Sequence, residues 1–65
     1  MFEGIAQSLI REREARGLSQ KQLARKAGIS VVQISKLEDG RHSHPSAAMQ
    51  KVADALKVDV QVLLD

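Results

Sequence analysis

The sequence contains no cysteine, and its 65 residues include one aromatic side chain, Phe2, and one proline, Pro45. The absence of cysteine excludes disulfide bonds and thiolate metal sites. Because aromatic residues are so scarce, the core must consist of leucine, isoleucine, valine and alanine packed between helices. An aliphatic core in one domain of this size leaves no room for a deep catalytic cavity.

Long apolar runs are also missing. The longest run is far shorter than a membrane-spanning helix requires, and the N-terminus lacks the basic and then apolar layout of a secretion signal. We therefore expect a cytoplasmic protein. Ten Lys and Arg residues against eight Asp and Glu give a formal charge of +2, which is compatible with nucleic-acid binding but not diagnostic of it.

Helical spacing of apolar residues marks the beginning of the chain. The first helix is expected over residues 2–16 and ends at Gly17. Its inner face carries Phe2, Ile5, Ala6, Leu9, Ile10 and Arg13. Ser19 and Gln22 have the spacing of a capping box, which predicts a second helix that begins at Gln20. The inner residues of that helix are Leu23, Ala24 and Ala27.

A second capping pattern follows almost at once. Gly28 ends the second helix, and Ser30 with Gln33 repeats the spacing of a serine cap and its partner. A third helix is therefore expected, with Ile34 and Leu37 on its buried side. The sequence thus predicts two short helices joined by a tight turn.

The segment EDGRHSHPS is rich in turn-forming residues and separates the third helix from the fourth. The fourth helix is expected from about residue 47, capped by Ser46, and a short fifth helix follows Asp59. Their apolar residues are Ala48, Met49, Val52, Ala53, Leu56, Val60, Leu63 and Leu64. Since no alternating strand pattern occurs, the sequence predicts an all-α, compact five-helix bundle that forms a single domain over residues 1–65.

The second and third helices carry a set of residues at fixed spacing. Ala24 is small enough to let two helix axes approach closely, Gly28 allows a sharp bend, and Ile29 can fill the core beneath the turn. A small residue, a glycine and an aliphatic residue, Ile34, stand four, eight and fourteen positions after Gln20. Each feature is common alone, but together they indicate a helix-turn-helix.

The segment RGLSQKQLARKAGISVVQISKLEDG resembles the phage-repressor-like family of helix-turn-helix transcriptional regulators, of the Cro/C1 or xenobiotic-response-element type. The later segment LKVDVQVLLD resembles the end of that domain, and the resemblance covers nearly the whole chain. It implies a lambda-repressor-like DNA-binding domain, usually dimeric, whose third helix lies in the major groove of double-stranded DNA.

The resemblance also implies roles for individual residues. The positions expected to face the bases are Val31, Val32, Gln33 and Lys36. Those expected to meet the phosphate backbone are Gln20, Ser30, Asp39, Gly40 and Arg41. Arg13 and Glu38 match a structural pair that joins the first helix to the end of the third. Free backbone N–H groups at the start of the second helix would add to the phosphate contact of Gln20.

Two valines at the start of the third helix depart from family members that present glutamines there. Val31 and Val32 can pack on the C5-methyl group of thymine, while Gln33 pairs with adenine and Lys36 with guanine or phosphate. Two alternatives remain open. The valines could instead contact a protein, and Gln33 could serve only to cap the helix.

The sequence offers little for catalysis or metal binding. His42 and His44 stand two apart, but with no cysteine and no fixed acidic partner they are better explained by solvent exposure or a phosphate contact than by a metal site. No phosphate-binding glycine loop and no nucleophile beside a base occurs. We expect a protein without cofactor or metal that is not an enzyme.

The expected function is sequence-specific transcriptional regulation, as a repressor or small controller protein. A homodimer would bind a palindromic operator with its third helices about 34 Å apart. Val58, Val60 and Val62 are the candidate dimer surface, with the alternative that two of them complete the core of the monomer. The competing hypothesis is an antitoxin or another protein-interaction module, for which DNA binding is secondary and a toxin or other protein is the partner.

Overall fold

Five α-helices follow one another in the computed structural model, which describes residues 3–40 and 46–64. They are α1 (Glu3–Ala15), α2 (Gln20–Ala27), α3 (Val31–Asp39), α4 (Ser46–Leu56) and α5 (Val60–Leu64). No strand occurs within these two ranges. The predicted all-α fold of five helices is confirmed.

The helix boundaries differ from the predictions by single residues. The first helix ends at Ala15, so that Arg16 lies in the following turn. Ser46 is the first residue of α4 and not a residue that precedes it, so the predicted start at about residue 47 was one position late. Helix ends are the least determined part of a pattern because their last hydrogen bonds are shared with the turn. Phe2, Arg41, His42, His44 and Pro45 lie outside the described residues.

The core is aliphatic, as the shortage of aromatic residues requires. Residues of α1 to α4 form most of one cluster, and α5 contributes Leu63. The cluster consists of Leu9, Leu23, Ala24, Ile34, Leu37, Met49, Val52, Ala53, Leu56 and Leu63. Burial of so much aliphatic surface is the main source of stability in a domain with no disulfide.

The packing of the helices determines which surface α3 presents. It packs against α1 and against α2, and α2 packs in turn against α4, while α5 closes the bundle against α1 and α4. Ile34 is fully buried and Leu37 is nearly so. Since α3 is held from one side only, its opposite face is left to solvent.

The turn between α4 and α5 closes without a glycine. Lys57 adopts a left-handed φ of 60°. Its backbone N–H donates to the carbonyl of Asp54 at 3.1 Å, and the N–H of Val58 donates to that of Ala53 at 3.0 Å. This pair of hydrogen bonds is a Schellman motif, which satisfies the last carbonyls of α4. Val58 and Val60 then pack against the core.

Among the residues that the structure describes, none of the helices has both the length and the apolar content needed to cross a lipid bilayer.

Candidate nucleic-acid interface

Both helices of the central pair begin with a complete capping box. The Ser19 side chain accepts from the N–H of Gln22 at 3.0 Å, and the Gln22 side chain accepts from the N–H of Ser19 at 2.8 Å. At α3, the Ser30 side chain accepts from the N–H of Gln33 at 3.1 Å, and the Gln33 side chain accepts from the N–H of Ser30 at 3.2 Å. Both predicted helix starts are thereby confirmed, and the first turn of α3 is held rigid.

A left-handed glycine makes the turn between the two helices. Gly28 has φ 74° and ψ 30°, and its N–H donates to the carbonyl of Ala24 at 2.9 Å. The next residue, Ile29, donates to the same carbonyl at 3.1 Å and packs against the core. Ala24 is buried where α2 meets its neighbours. The residues that predicted a helix-turn-helix therefore occupy the places the motif requires.

The outer face of α3 carries the residues expected to read bases. Val31 has 43% and Val32 has 58% of its surface exposed, which is unusual for large apolar side chains in the first turn of a helix. The other exposed residues of this helix are Gln33, Ser35, Lys36 and Asp39. An exposed polar and apolar mixture along one helix is what a groove-reading helix presents.

The sequence left open whether Gln33 caps α3 or contacts a base. Its Oε1 accepts from the backbone of Ser30, while its Nε2 group keeps two N–H donors. A bidentate contact with adenine needs both the oxygen and the nitrogen of the amide. In this conformation, therefore, the oxygen is engaged in the cap, and only the amide nitrogen can donate to another partner.

A partly buried ion pair joins α1 to the end of α3, as the resemblance implies. Arg13 Nε donates to Glu38 Oε2 at 2.7 Å, and Nη2 donates to Oε1 at 3.1 Å. The side chain of Arg13 is 13% exposed and that of Glu38 is 5% exposed. Arg13 Nη1 also donates to the carbonyl of Leu18 at 2.7 Å. The guanidinium thus holds three parts of the chain together: α1, the loop before α2, and α3.

The hydrogen bonds that Arg13 donates to Glu38 raise the pKa of its guanidinium above the ordinary value, and the negative charges of Glu38 and Glu14 act in the same direction. Desolvation opposes them. A group whose pKa is raised on folding stabilises the fold at every pH below its ordinary pKa and loses that contribution only as the pH rises through the folded value. The contribution of Arg13 is therefore fully present at neutral pH.

Gln20 is the third member of this network. Its Nε2 donates to Glu38 Oε1 at 2.9 Å, although the two residues belong to different helices. This contact orients the amide, so that its oxygen and its second N–H remain for other partners. The role of Gln20 as a phosphate contact stays a prediction, and its position at the first residue of α2 suits that role.

An open groove of about 550 Å³ lies beside α3. It is lined by Ile10, Gln20, Val32, Ser35, Lys36, Glu38 and Asp39. Ser35 and Ile10 were not among the predicted site residues. Ser35 follows Val32 by three positions and so shares its side of the helix, a spacing that could have indicated it. Ile10 comes from another helix and could be placed only by the packing.

The other residues predicted to contact phosphates differ in exposure. Ser30 and Asp39 are exposed, whereas Gly40 is buried with a left-handed φ of 77°. Three basic residues without an acidic one line the exposed side of α2, namely Lys21, Arg25 and Lys26. These side chains give α2 an excess of positive charge, although Lys26 lines a second groove with Leu18 and Lys57 and not the groove beside α3.

Two of the three valines proposed for the dimer surface pack against the core of the single chain. Val58 and Val60 are half-buried against the core, which supports the alternative that two of the valines complete it. Val62 is 37% exposed. Only this third valine offers an open apolar side chain for a second copy.

No group of three or more histidine, cysteine, aspartate or glutamate side chains suited to a metal ion is present in the described ranges 3–40 and 46–64.

The sequence model of the helix-turn-helix family HTH_3 matches residues 9–63. The chain belongs to this family of Cro/C1-type helix-turn-helix proteins. The matched segment begins in α1 and ends in α5, so it includes both capping boxes and the Arg13–Glu38 pair. The members of this family regulate transcription and are not enzymes, which confirms the expectation that this chain is not an enzyme.

Individual relatives agree with this assignment. Over 64 residues the chain is 36% identical to the HTH-type transcriptional repressor RghR of Bacillus subtilis, a match that covers 97% of the chain and 47% of the repressor. The chain thus spans about half the length of this curated relative.

Solved structures show the same fold. The restriction-modification controller protein C.AhdI from Aeromonas hydrophila is 29% identical, with a TM-score of 0.90 over 95% of this chain and 94% of that one. The N-terminal DNA-binding domain of SinR from Bacillus subtilis is 34% identical, with a TM-score of 0.88 over 97% of this chain and 93% of that one. Both similarities extend over nearly all of the compared domains.

Proposed function

We propose that this chain binds double-stranded DNA in a sequence-specific manner, with α3 in the major groove, and that it acts as a repressor or controller of transcription. The observation that carries the proposal is the first turn of α3. There a complete capping box holds an exposed face formed by Val31 and Val32, beside the groove that Gln20 and Lys36 line. A rigid, exposed helix end is suited to base contacts.

Phosphate contacts and base contacts are expected from different residues. Gln20, Ser30 and the basic side chains of α2 hold the backbone and set the register, while Val31, Val32 and the Gln33 amide nitrogen meet base edges. Lys36 can donate to guanine or to a phosphate. This division predicts that some substitutions change affinity for all DNA and others change only the choice of sequence.

Repression is favoured by the relative RghR, which is a transcriptional repressor. The small controller alternative is favoured by the similarity to C.AhdI, which is a restriction-modification controller protein. Both relatives are bacterial, and we expect this chain to act in the cytoplasm, where a bacterial regulator encounters its DNA.

A homodimer on a palindromic operator completes the proposal. Two copies related by a two-fold axis would place their third helices about 34 Å apart, in successive major grooves of one face of B-DNA. Val62 is an exposed apolar residue of α5, and we expect it to lie in the contact between copies. Substitution of this valine by lysine introduces a charge that an apolar contact cannot accommodate.

The proposal is tested by fluorescence anisotropy with the promoter upstream of the chain's own gene and with a random-sequence pool, across a salt series. Specific recognition requires about a thousandfold tighter binding to the promoter, or to a site selected from the pool, than to random DNA. The affinity should fall steeply as salt rises because counterions are released from phosphates. Equally weak binding to every DNA would mean that DNA is not the main partner and would favour the antitoxin hypothesis.

Sedimentation of the protein as a function of concentration tests the dimer. Val62→Lys should shift the chain toward monomer and raise the protein concentration needed to occupy a palindromic site. Gln50→Lys is the matched control because Gln50 is an exposed residue of α4 and receives the same charge. A Val62→Lys protein that dimerises like the control would show that the contact lies elsewhere.

A further inference from the structure

The first two residues of α3 present only methyl groups to a bound duplex. We propose that this valine tip, Val31 and Val32, recognises the C5-methyl group of pyrimidines, and that it therefore accepts 5-methylcytosine as well as thymine. Binding would then respond to cytosine methylation of the DNA. This inference rests on the proposed function, in which α3 enters the major groove.

The placement of the valine tip carries the first step. Val31 is 43% exposed and Val32 is 58% exposed, and both belong to the opening turn of the helix. Consecutive helical residues project about 100° apart, so the two valines address neighbouring positions of the groove and not one point. Valine is stiff at χ1 in a helix, so its two methyl groups are fixed before any DNA is bound.

The valine side chains themselves cannot form hydrogen bonds. Valine carries no polar atom, and the Gln33 oxygen already accepts from the backbone N–H of Ser30 at 3.2 Å. Thymine and 5-methylcytosine differ in the major groove by an acceptor at O4 or a donor at N4, while both carry the methyl group at C5. A valine cannot distinguish O4 from N4, so the shared methyl group is what it reads.

The surrounding residues hold the duplex without repeating this readout. A hydrogen bond of 2.9 Å from Gln20 Nε2 to Glu38 Oε1 orients the Gln20 amide. Lys36 follows Val32 by one helical turn and lines the same groove beside α3. The exposed basic side chains of α2 supply the charge that complements phosphates. Duplex DNA is the occupant proposed for this surface, since Lys36 and the exposed basic side chains of α2 can contact phosphates, although Glu38 and Asp39 also line the groove.

The size of the effect follows from the apolar area of one methyl group. Burying a methyl group changes binding by about fourfold, and two methyl contacts in one half-site change it by roughly fifteenfold. Removal of a methyl group from the base leaves every hydrogen-bonding atom of the duplex in place. A deoxyuridine substitution is therefore a clean test of the methyl contact.

The experiment begins with a duplex selected from a random pool by the unmodified protein. Each thymine in a half-site is replaced in turn by deoxyuridine, and the position that loses about fourfold in affinity is taken as the methyl contact. At that position the T·A pair is then replaced by 5-methylcytosine·guanine and by cytosine·guanine. We expect 5-methylcytosine to retain most of the thymine affinity, and cytosine to bind as weakly as uracil.

Protein variants show whether the valine tip is responsible. In the double variant Val31→Ala with Val32→Ala, the ratio of thymine to uracil affinity should fall to about one. The fold should survive because both side chains are exposed and alanine is the better helix former. Val62→Ala, an identical change at another exposed valine, should keep the ratio whatever it does to overall affinity.

Three results would overturn the inference while leaving DNA binding intact. The first is a change below twofold for every uracil substitution. The second is 5-methylcytosine that binds no more tightly than cytosine at the methyl contact. The third is a methyl effect of undiminished size in the double alanine variant. Failure to obtain any selected duplex would instead contradict the proposed function itself, so the two failures are distinguishable.

Discussion

Gln20 and Glu38 are joined by a hydrogen bond of 2.9 Å between Nε2 and Oε1, although 18 positions separate them in the sequence. The same carboxylate accepts two hydrogen bonds from Arg13. The residue proposed to hold a phosphate is thus tied to the ion pair that fixes α3 against α1. Phosphate contact and helix position are therefore linked through one side chain.

Gln20→Ala should weaken binding to selected and random DNA to a similar extent, by about tenfold for one lost hydrogen bond to a charged group. The slope of affinity against salt should stay nearly unchanged because no charge is removed. Anisotropy titrations on both kinds of DNA measure these quantities.

Gln50→Ala provides the comparison for this variant. Gln50 also donates from a helix to a carboxylate, that of Asp54 at 2.9 Å, but it belongs to α4. Its replacement should leave DNA binding unaltered. A loss confined to selected DNA in the Gln20 variant would argue for a base contact and against the phosphate role.

Glu38→Ala should lower the free energy of unfolding by about 3 kcal/mol, because it leaves the guanidinium of Arg13 almost buried without its partner. The melting temperature should fall by on the order of 10 °C in a domain of this size. Thermal unfolding followed by circular dichroism measures the change. An unaltered melting temperature would mean that the pair does not form in solution.

Glu12→Ala is the matched control for this loss. Glu12 pairs with Arg16 at 2.8 Å on the surface of α1, where the two side chains are 20% and 35% exposed. An exposed pair of this spacing contributes no more than about 0.5 kcal/mol. Both variants remove a glutamate carboxylate that pairs with an arginine, but the two pairs differ in burial. The difference between the two losses of stability therefore reports the effect of burial.

Ser30→Ala and Ser19→Ala should each cost about 1 kcal/mol, because each removes the side-chain acceptor of a capping box. Their effects on DNA should differ. Loss of the Ser30 hydroxyl removes the acceptor of the Gln33 backbone N–H and loosens the first turn of α3, so discrimination between selected and random DNA should fall. Urea unfolding measures the stability of each variant, and titrations with selected and random DNA measure its discrimination. An equal loss of discrimination in Ser19→Ala and Ser30→Ala would contradict a special role for the first turn of α3.

Gly28→Ala should destabilise the fold by about 1 kcal/mol because the residue has a left-handed φ of 74°. A Cβ atom there would meet no heavy atom within 4 Å, so the cost is conformational and not steric. Gly4 also has open space around it but lies in α1, where alanine should raise stability by about 0.5 kcal/mol. Urea titrations of the two variants should give changes in the free energy of unfolding of opposite sign. Changes of equal sign would contradict the conformational explanation.

Local signals were read correctly from the sequence because their physical causes are local. Ser19 and Ser30 stand three positions before glutamines, and both form capping boxes with those glutamines. Gly28 stands where the chain needs a left-handed residue. Hydrogen bonds within four residues depend on spacing alone, so a pattern can predict them.

The contacts within the network were only partly predictable. The pair of Arg13 and Glu38 was expected from the resemblance, but the hydrogen bond from Gln20 was not. It depends on how the start of α2 is oriented over the end of α3, which no spacing within either helix specifies. The place of Ile10 in the groove beside α3 has the same origin.

The sequence by itself determined the number of helices, their capped starts, the glycine turn and the aliphatic character of the core. These follow from side-chain chemistry at short range and from the period of the helix. The tertiary structure alone decided that Val58 and Val60 complete the core while Val62 stays exposed, and that Glu38 binds Gln20 as well as Arg13. The reason is that burial and long-range hydrogen bonds depend on how helices distant in sequence pack together.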